Sequence, residues 1–288
     1  MDAQPDHLPS TAGAPRSSGY PTRPPLRRFL TDCHEEFRVD HSGELADYIP
    51  ELKRANPDHF GIALVTIDGH VYEVGDSDVP FTIQSVSKAF VFALALEMVG
   101  EARVAATIGV EPSGEAFNSI RLTNDNRPFN PMVNAGAIAC SGLIYEVEGK
   151  GAFERVRSKL SQFAGRELGV DEAVHASETA TGNRNRAIAW LLRNYAVLPD
   201  DVDAVLDVYF RQCAILVTAR DLAVMAATLA NRGINPVTGV QVITPHIVAR
   251  TLLKWLSSSG EKVPSPSCEG SAATMPPPTP LLAGMPTR

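Results

Sequence analysis

The residue types best suited to chemistry lie in one tetrad, Ser85-Val86-Ser87-Lys88, at the start of an apolar helical segment. Positions i and i+3 lie on the same face of a helix, so the Lys88 amine can reach the Ser85 hydroxyl. A serine hydroxyl is a weak nucleophile unless a neighbouring base accepts its proton. A lysine can be that base if burial disfavours its charged form and lowers its pKa. The tetrad therefore indicates covalent chemistry, with Ser85 as nucleophile and Lys88 as base.

The tetrad by itself also has a purely structural explanation, because Ser-x-x-Lys occurs by chance in many helices. Its place between a hairpin and an apolar helix is the setting found in β-lactamases and penicillin-binding enzymes. Those enzymes also carry a Ser-Asp-Asn motif and a Lys-Thr-Gly or Lys-Ser-Gly motif, and the 288 residues contain neither. We therefore do not expect a β-lactam-processing enzyme.

Five separated segments, one of which contains the tetrad, resolve this ambiguity. They are residues 84–88, 109–114 with 117–118, 130–138, 177–178 with 182–187, and 225–231. This ordered series resembles the serine-dependent glutaminases, relatives of the β-lactamases that hydrolyse glutamine to glutamate and ammonia. The resemblance extends over roughly residues 45–252.

The resemblance implies a catalytic set of three residues. Ser85 is expected to be acylated and Lys88 to act as its base. Tyr48, in the segment Asp-Tyr-Ile-Pro, matches a tyrosine that lines the active site near the serine in this family.

The resemblance also implies a substrate-binding set, which consists of Ser85, Asn134, Glu178, Asn185 and Tyr209. Free glutamine is a zwitterion. Glu178 can therefore pair with its ammonium group, and the amides of Asn134 and Asn185 can donate to its carboxylate. Without the motif context, these side chains have ordinary explanations as solvated acids, helix caps or core tyrosines.

The elements that must position these residues can also be predicted. Residues 62–67 and 70–74 read as two strands joined at Asp68-Gly69, which favours a type I′ hairpin turn. Helical periodicity begins at Leu26, and the helix that follows the tetrad is expected to stop at Gly100. Further helices are predicted at 135–148, 152–165, 186–195, 202–213 and 219–230, the last capped by Thr218. The resemblance implies an α/β, β-lactamase-like fold with a helical subdomain and an antiparallel sheet.

The domain organisation is expected to have three parts. Residues 1–25 have few apolar side chains and are predicted to form a disordered leader. Residues 26–255 should form one glutaminase-like domain. Residues 256–288 contain seven prolines and should form an irregular tail. The family's Cys-Gly-Met-Tyr-Asp and Lys-Ser-Gly-Val segments do not follow Leu252 here, so the resemblance implies a sheet that lacks the C-terminal strands.

Composition excludes several classes of partner. The net charge is −7, and no block of Lys or Arg indicates binding to nucleic acid or to an anionic membrane. The longest apolar stretch is shorter than the ~20 residues of a membrane span, and no secretory signal is recognisable. We therefore expect a cytoplasmic protein whose partner is the small molecule L-glutamine, with self-association implied by the resemblance.

No metal or cofactor is expected. The cysteines Cys33, Cys140, Cys213 and Cys268 lie far apart, without the spacing of metal ligands. The first three are interpreted as buried reduced thiols. The histidines show no ligand spacing either.

Two alternatives to a glutaminase stay open at this point. One is a non-catalytic relative that keeps helical surfaces for binding or assembly. The other is a general serine amidase or penicillin-interacting protein, which acylation of Ser85 by penicillin would favour.

Overall fold

The computed structural model describes residues 24–111 and 118–258 of the chain. Most of the predicted leader, residues 1–25, and of the predicted tail, residues 256–288, lies outside the described residues. The first described helix begins at Pro24, inside the predicted leader, and the last ends at Ser258, inside the predicted tail. Among the described residues, no helix combines the length and the apolar character that crossing a membrane requires.

Helices make up most of the described structure. They are α1 (Pro24–Phe37), α2 (Ser87–Thr107), α3 (Asn134–Glu148), α4 (Ala152–Ala164), α5 (Glu172–Thr181), α6 (Asn183–Asn194), α7 (Val202–Cys213), α8 (Ala219–Ala230) and α9 (Pro245–Ser258).

Helices α2 and α3 form the centre of the molecule. Every side chain is buried from residue 89 to 96 in α2 and from 134 to 144 in α3. A helix that is apolar all round must be covered on all sides. One hydrophobic cluster surrounds α2 with side chains of α3, α4 and α8, and a second joins α3 to α6 and α7. The residues that begin these two central helices are therefore held by the best-packed part of the fold.

Two small antiparallel sheets complete the described structure. Strands β1 (Gly61–Val65) and β2 (Val71–Gly75) pair in the predicted hairpin, from Gly61 opposite Gly75 to Val65 opposite Val71. Strand β3 (Phe81–Thr82) pairs with β4 (Leu216–Val217) directly before the tetrad. The predicted combination of a helical body with an antiparallel sheet is thus present, with two strands in each described sheet.

The hairpin turn differs from the predicted type I′ turn. That type needs positive φ at both Asp68 and Gly69, but only Gly69 has it, at 85°. Gly69 N–H donates to the Thr66 carbonyl (2.9 Å), and Thr66 N–H donates to the His70 carbonyl (3.0 Å). The hairpin therefore has a wider loop, in which a turn is followed by a glycine in the left-handed conformation. The Thr66 hydroxyl stabilises it by donating to the Asp68 carboxylate.

Most helix boundaries agree with the predicted ones. The bounds of α7 and α8 match, and Thr218 and Asp221 form a capping box at the start of α8. Gly100 interrupts α2 with a φ of 79° and a ψ of 161°, as predicted, but the helix resumes after it. Helices α5 and α9 were not predicted. Asp171 begins α5 by accepting hydrogen bonds from the backbone N–H groups of residues 173 and 174.

The loop before α3 is shaped by Asn130. Its Oδ1 accepts hydrogen bonds from the backbone N–H groups of Met132 (3.0 Å) and Val133 (3.3 Å), and its Nδ2 donates to the Glu111 carbonyl (3.0 Å). The Asn130 carbonyl lies so close to α3 that a Cβ at Gly136 would be 1.9 Å from the oxygen. The loop can therefore lie against the helix only because residue 136 has no side chain.

The first prediction concerns this contact. Alanine normally stabilises a helix interior relative to glycine, by about 1 kcal/mol. We expect Gly136→Ala to destabilise the fold instead, by about 2 kcal/mol or more, because the backbone of residues 130 and 131 must move. Urea unfolding measures the change. Gly169→Ala is the control, since a Cβ there meets nothing within 4 Å. Equal stabilities of the two variants would contradict the prediction.

Candidate active site

Ser85 lies on a short 3₁₀ turn, Gln84–Val86, between β3 and α2. In a 3₁₀ turn residues three apart lie one above the other, so the predicted i, i+3 relation to Lys88 is present at the start of α2. The two side chains differ in environment, since Ser85 is exposed and Lys88 is 3% exposed. The serine is thus exposed to solvent, whereas the lysine three residues later is buried in the core.

The Lys88 amine is held by a neutral partner. Its Nζ donates to Asn134 Oδ1 at 2.7 Å. Burial lowers the pKa of Lys88 to about 8, although nearby Cys213 acts in the opposite direction. A lysine with this pKa is neutral in a substantial fraction of molecules at mildly alkaline pH, and neutral lysine can accept a proton.

Asn134 and Asn185 continue the hydrogen-bond chain. Asn134, the first residue of α3, donates through its Nδ2 to Asn185 Oδ1 at 3.0 Å. Both ends of the Asn134 amide are therefore occupied within the protein. Asn185 lies in the first turn of α6 and takes part in this hydrogen bond through its Oδ1, not through its amide nitrogen. Of the two amides predicted to hold a carboxylate, Asn185 is the better placed.

Glu178 and Tyr209 lie beside this chain on α5 and α7. Both are buried, at 6% and 3% exposure. Burial raises the pKa of Glu178 to about 7. It also raises the pKa of Tyr209 well above its ordinary value, and the neighbouring Cys213 and Glu178 add to that effect. The site thus contains a carboxyl group whose ionisation burial strongly disfavours.

Tyr48 reaches the site from the loop between α1 and β1. Its surface is 56% exposed, but its hydroxyl donates to Oε1 of the buried Gln84 at 3.2 Å. Desolvation of that hydroxyl, with contributions from Cys213 and Glu178, raises the pKa of Tyr48. Tyr48 therefore contacts the residue directly before Ser85.

Gly182 explains why α5 and α6 can meet at the site. A Cβ at this position would lie 2.5 Å from the Glu178 carbonyl and 2.6 Å from the ring of Phe210. Only a residue without a side chain fits between the two helices and α7. Gly182 thereby lets Glu178 and Asn185 approach the same region from different helices.

Two residues of the site were not predicted. Gln84 has a φ of 47°, in the left-handed region that costs a non-glycine residue roughly 1–3 kcal/mol at a functional site. Cys213 is buried next to Tyr209, with Lys88 and Glu178 close enough to affect its titration, and burial raises the pKa of its thiol. Helical spacing could have indicated Cys213, which lies four residues after Tyr209. The backbone of Gln84 has no comparable signal in the sequence.

The structure thus brings all seven predicted site residues to one region, where α2, α3, α5, α6 and α7 meet. An exposed serine one turn before a buried lysine whose pKa is lowered to about 8 is suited to acyl transfer. Within the described ranges, no group of three or more His, Cys, Asp or Glu side chains could hold a metal ion.

In a comparison with protein families, the family model of glutaminases matches residues 43–261. Glutaminase 2 of Bradyrhizobium diazoefficiens is 93% identical over 258 residues, which is 90% of this chain and 41% of that protein. The glutaminase of Microcystis aeruginosa is 49% identical over 82% of this chain and 70% of that protein. The chain thus spans less than half the length of the first of these relatives.

Solved structures give the same result. The crystal structure of Mglu in its glutamate form is 43% identical, with a TM-score of 0.78 over 83% of this chain and 55% of that chain. A Bacillus glutaminase crystallised in 4.3 M NaCl is 31% identical, with a TM-score of 0.71 over 81% of this chain and 75% of that chain. The predicted β-lactamase-like α/β fold is confirmed by these likenesses.

The second prediction follows from the burial of Glu178. A carboxyl whose folded-state pKa is raised from 4.5 to about 7 binds its proton more tightly in the folded protein than in the unfolded chain. Stability is therefore lost as the pH rises from 4.5 to 7, by about 3 kcal/mol. Glu178→Gln removes this loss, so its stability relative to the wild type should increase by about that amount between pH 5 and pH 8.

Urea unfolding at the two pH values measures this change. Glu172→Gln is the matched control, because Glu172 is an exposed acid in the first turn of the same helix. If the stability of Glu178→Gln relative to the wild type is the same at pH 5 and at pH 8, burial does not disfavour the ionised form of Glu178.

Proposed function

Because the chain belongs to the glutaminase family, we propose that it hydrolyses the side-chain amide of L-glutamine to give L-glutamate and ammonia. The observation that carries this proposal is the environment of Lys88, which is buried one turn after the exposed Ser85 and has its pKa lowered to about 8. That arrangement supplies an activated hydroxyl without a metal or a cofactor.

Acylation uses Ser85 and Lys88. The neutral Lys88 Nζ accepts the proton of the Ser85 hydroxyl while the oxygen attacks the amide carbon. The resulting tetrahedral species collapses by breaking the C–N bond. The Lys88 ammonium returns the proton to the leaving nitrogen, which departs as ammonia and leaves the glutamyl group esterified to Ser85.

Deacylation repeats these steps with water. A water molecule gives a proton to Lys88 as its oxygen attacks the ester carbon, and the proton then returns to the Ser85 oxygen as glutamate leaves. Asn134 supports both steps, because its Oδ1 accepts a hydrogen bond from Lys88 at 2.7 Å in the ammonium or the amine form. The positive charge that forms on Lys88 during each step is thereby stabilised.

Recognition of the substrate falls to the other buried polar groups. Glu178 pairs with the α-ammonium of glutamine, which restores a counter-ion to a carboxylate that burial has destabilised. The amide nitrogen of Asn185 donates to the α-carboxylate. The hydroxyl of Tyr209, buried beside Glu178, adds a further polar contact, and Tyr48 lines the entrance next to Gln84.

We infer a cytoplasmic protein, since the cysteines of the described residues, Cys33, Cys140 and Cys213, are free thiols that suit a reducing compartment. We also infer a homo-oligomer, because large apolar side chains such as Trp190 and Tyr195 are exposed on α6 and just after it.

The third prediction tests the activity itself. The purified 288-residue protein should release ammonia and glutamate from L-glutamine, and Ser85→Ala should lower the rate at least ~10³-fold because no nucleophile remains. A diazoketone analogue of glutamine should label Ser85, as located by mass spectrometry. Ser42→Ala, at an exposed serine in the loop between α1 and β1, is the control with unchanged rate and labelling. Undiminished turnover or labelling in Ser85→Ala would refute the role of Ser85.

The fourth prediction tests the substrate-binding role of Glu178. Glu178→Gln should lower kcat/KM for L-glutamine roughly 30- to 5000-fold, since removing one partner of a buried charge pair costs about 2–5 kcal/mol. Glutaric acid monoamide has the same reacting group but no α-ammonium, and its kcat/KM should change far less. A similar loss for both substrates would mean that Glu178 does not bind the ammonium group.

A further inference from the structure

The residue before the nucleophile has a backbone conformation that needs support. Gln84 is one of the few described non-glycine residues with positive φ, at 47°, and it is 4% exposed. This conformation directs the chain from β3 into the 3₁₀ turn that carries Ser85. If Gln84 relaxed to an ordinary conformation, Ser85 would move relative to Lys88, which is fixed in α2.

The side chain of Gln84 is fixed at both ends. Its Oε1 accepts a hydrogen bond from Tyr48, and its Nε2 donates to Thr82 Oγ1 at 3.1 Å. These contacts hold the side chain, but the orientation of the following peptide group depends on the carbonyl of Gln84.

That carbonyl is held by a second serine of the tetrad. Ser87 Oγ donates to the Gln84 carbonyl at 2.7 Å, and Ser87 is fully buried. A serine hydroxyl has one proton, which can turn toward different acceptors. Gln212 Nε2 donates to Ser87 Oγ at 2.9 Å. Since Gln212 occupies a lone pair of that oxygen, the Ser87 proton is directed to the Gln84 carbonyl.

Gln212 is itself fixed in the core. It lies in α7, is fully buried, and has its Oε1 3.5 Å from the hydroxyl of Ser141 in α3. The hydrogen bonds therefore connect α3 and α7 to the turn before α2. Gln212 was not among the predicted site residues, and its own hydrogen bonds go to Ser87 and Ser141 rather than to the residues assigned to the substrate.

We propose that Gln212 is a positioning residue for Ser85: through Ser87 it holds the left-handed backbone of Gln84 and so sets the place of the nucleophile. The inference rests on the proposed function, in which Ser85 is acylated. Misplacing a reacting atom by about 1 Å can cost on the order of 10² in rate. Loss of Gln212 should therefore slow the chemical step and leave binding of the substrate nearly unchanged.

The test uses Gln212→Met, which keeps a long unbranched side chain and removes the donor. The diazoketone analogue of glutamine serves as probe on the 288-residue protein. We expect the maximal rate of Ser85 labelling to fall about 10- to 100-fold, with the concentration for half-maximal rate changed less than about twofold. Gln162→Met is the control, because Gln162 is exposed on α4. Unchanged maximal rates in Gln212→Met would overturn the proposal, as would a loss confined to probe affinity.

A second variant guards against a protein that merely fails to fold. Ser87→Ala removes the same hydrogen bond to the Gln84 carbonyl by a smaller change and should give a similar loss. The double variant Ser87→Ala/Gln212→Met should label no more slowly than Ser87→Ala alone, because both residues act on one contact. Independent, multiplying losses would contradict a connection through Ser87.

Hydrogen–deuterium exchange separates this inference from the proposed function. Gln212→Met should raise exchange of the native protein at residues 83–88 and leave exchange in α8 unchanged. If the wild-type protein is not labelled at Ser85, the proposed function fails, and exchange alone still decides whether Gln212 holds the turn. If exchange at residues 83–88 is the same in Gln212→Met as in Gln162→Met, the positioning role of Gln212 is refuted.

Discussion

An amine held out of water is the constraint on which the rest of the site depends. Lys88 lies among the most buried residues of α2, and its Nζ is hydrogen-bonded to Asn134. Asn134 can occupy that place only if the start of α3 is fixed. The loop at Asn130 and the missing side chain at Gly136 fix it. The segment of residues 130–138 thus places the amide oxygen of Asn134 against the amine of Lys88.

Burial of two ionisable groups at this site lowers the stability of the folded protein. Burial disfavours the charged forms of both Lys88 and Glu178, and it shifts their pKa values in opposite directions toward neutral pH. At neutral pH, replacing Glu178 by a neutral side chain should therefore improve stability. Proteins keep such groups where activity needs them, and a zwitterionic substrate gives a reason for a buried carboxyl. The well-packed helices α2 and α3 provide the stability that offsets these groups.

Much of this arrangement could be predicted from the sequence, because its signals are local. The tetrad, the hairpin and the bounds of α7 and α8 follow from spacing, turn residues and caps. Other features depend on tertiary contacts that a single sequence does not reveal. The left-handed backbone of Gln84 is stabilised by residues from other parts of the chain, and Gln212 looks like any polar residue on a helix. The turn at Gly69 was mistaken for a type I′ turn because a hydrogen bond between Thr66 and Asp68 favours the wider loop. Helix α5 was missed because it is short and only three of its side chains are buried.

The reactivity of Cys213 can be used to detect motions of this site. The thiol lies beside Tyr209 and Lys88, and burial keeps it protonated, so in the closed protein it is a poor nucleophile toward alkylating or oxidising agents. A reagent can reach it only when α7 separates briefly from its neighbours. The rate at which Cys213 is alkylated therefore measures how often the interior of the site opens to solvent. A ligand that bridges α5, α6 and α7 would slow that reaction without touching the sulfur.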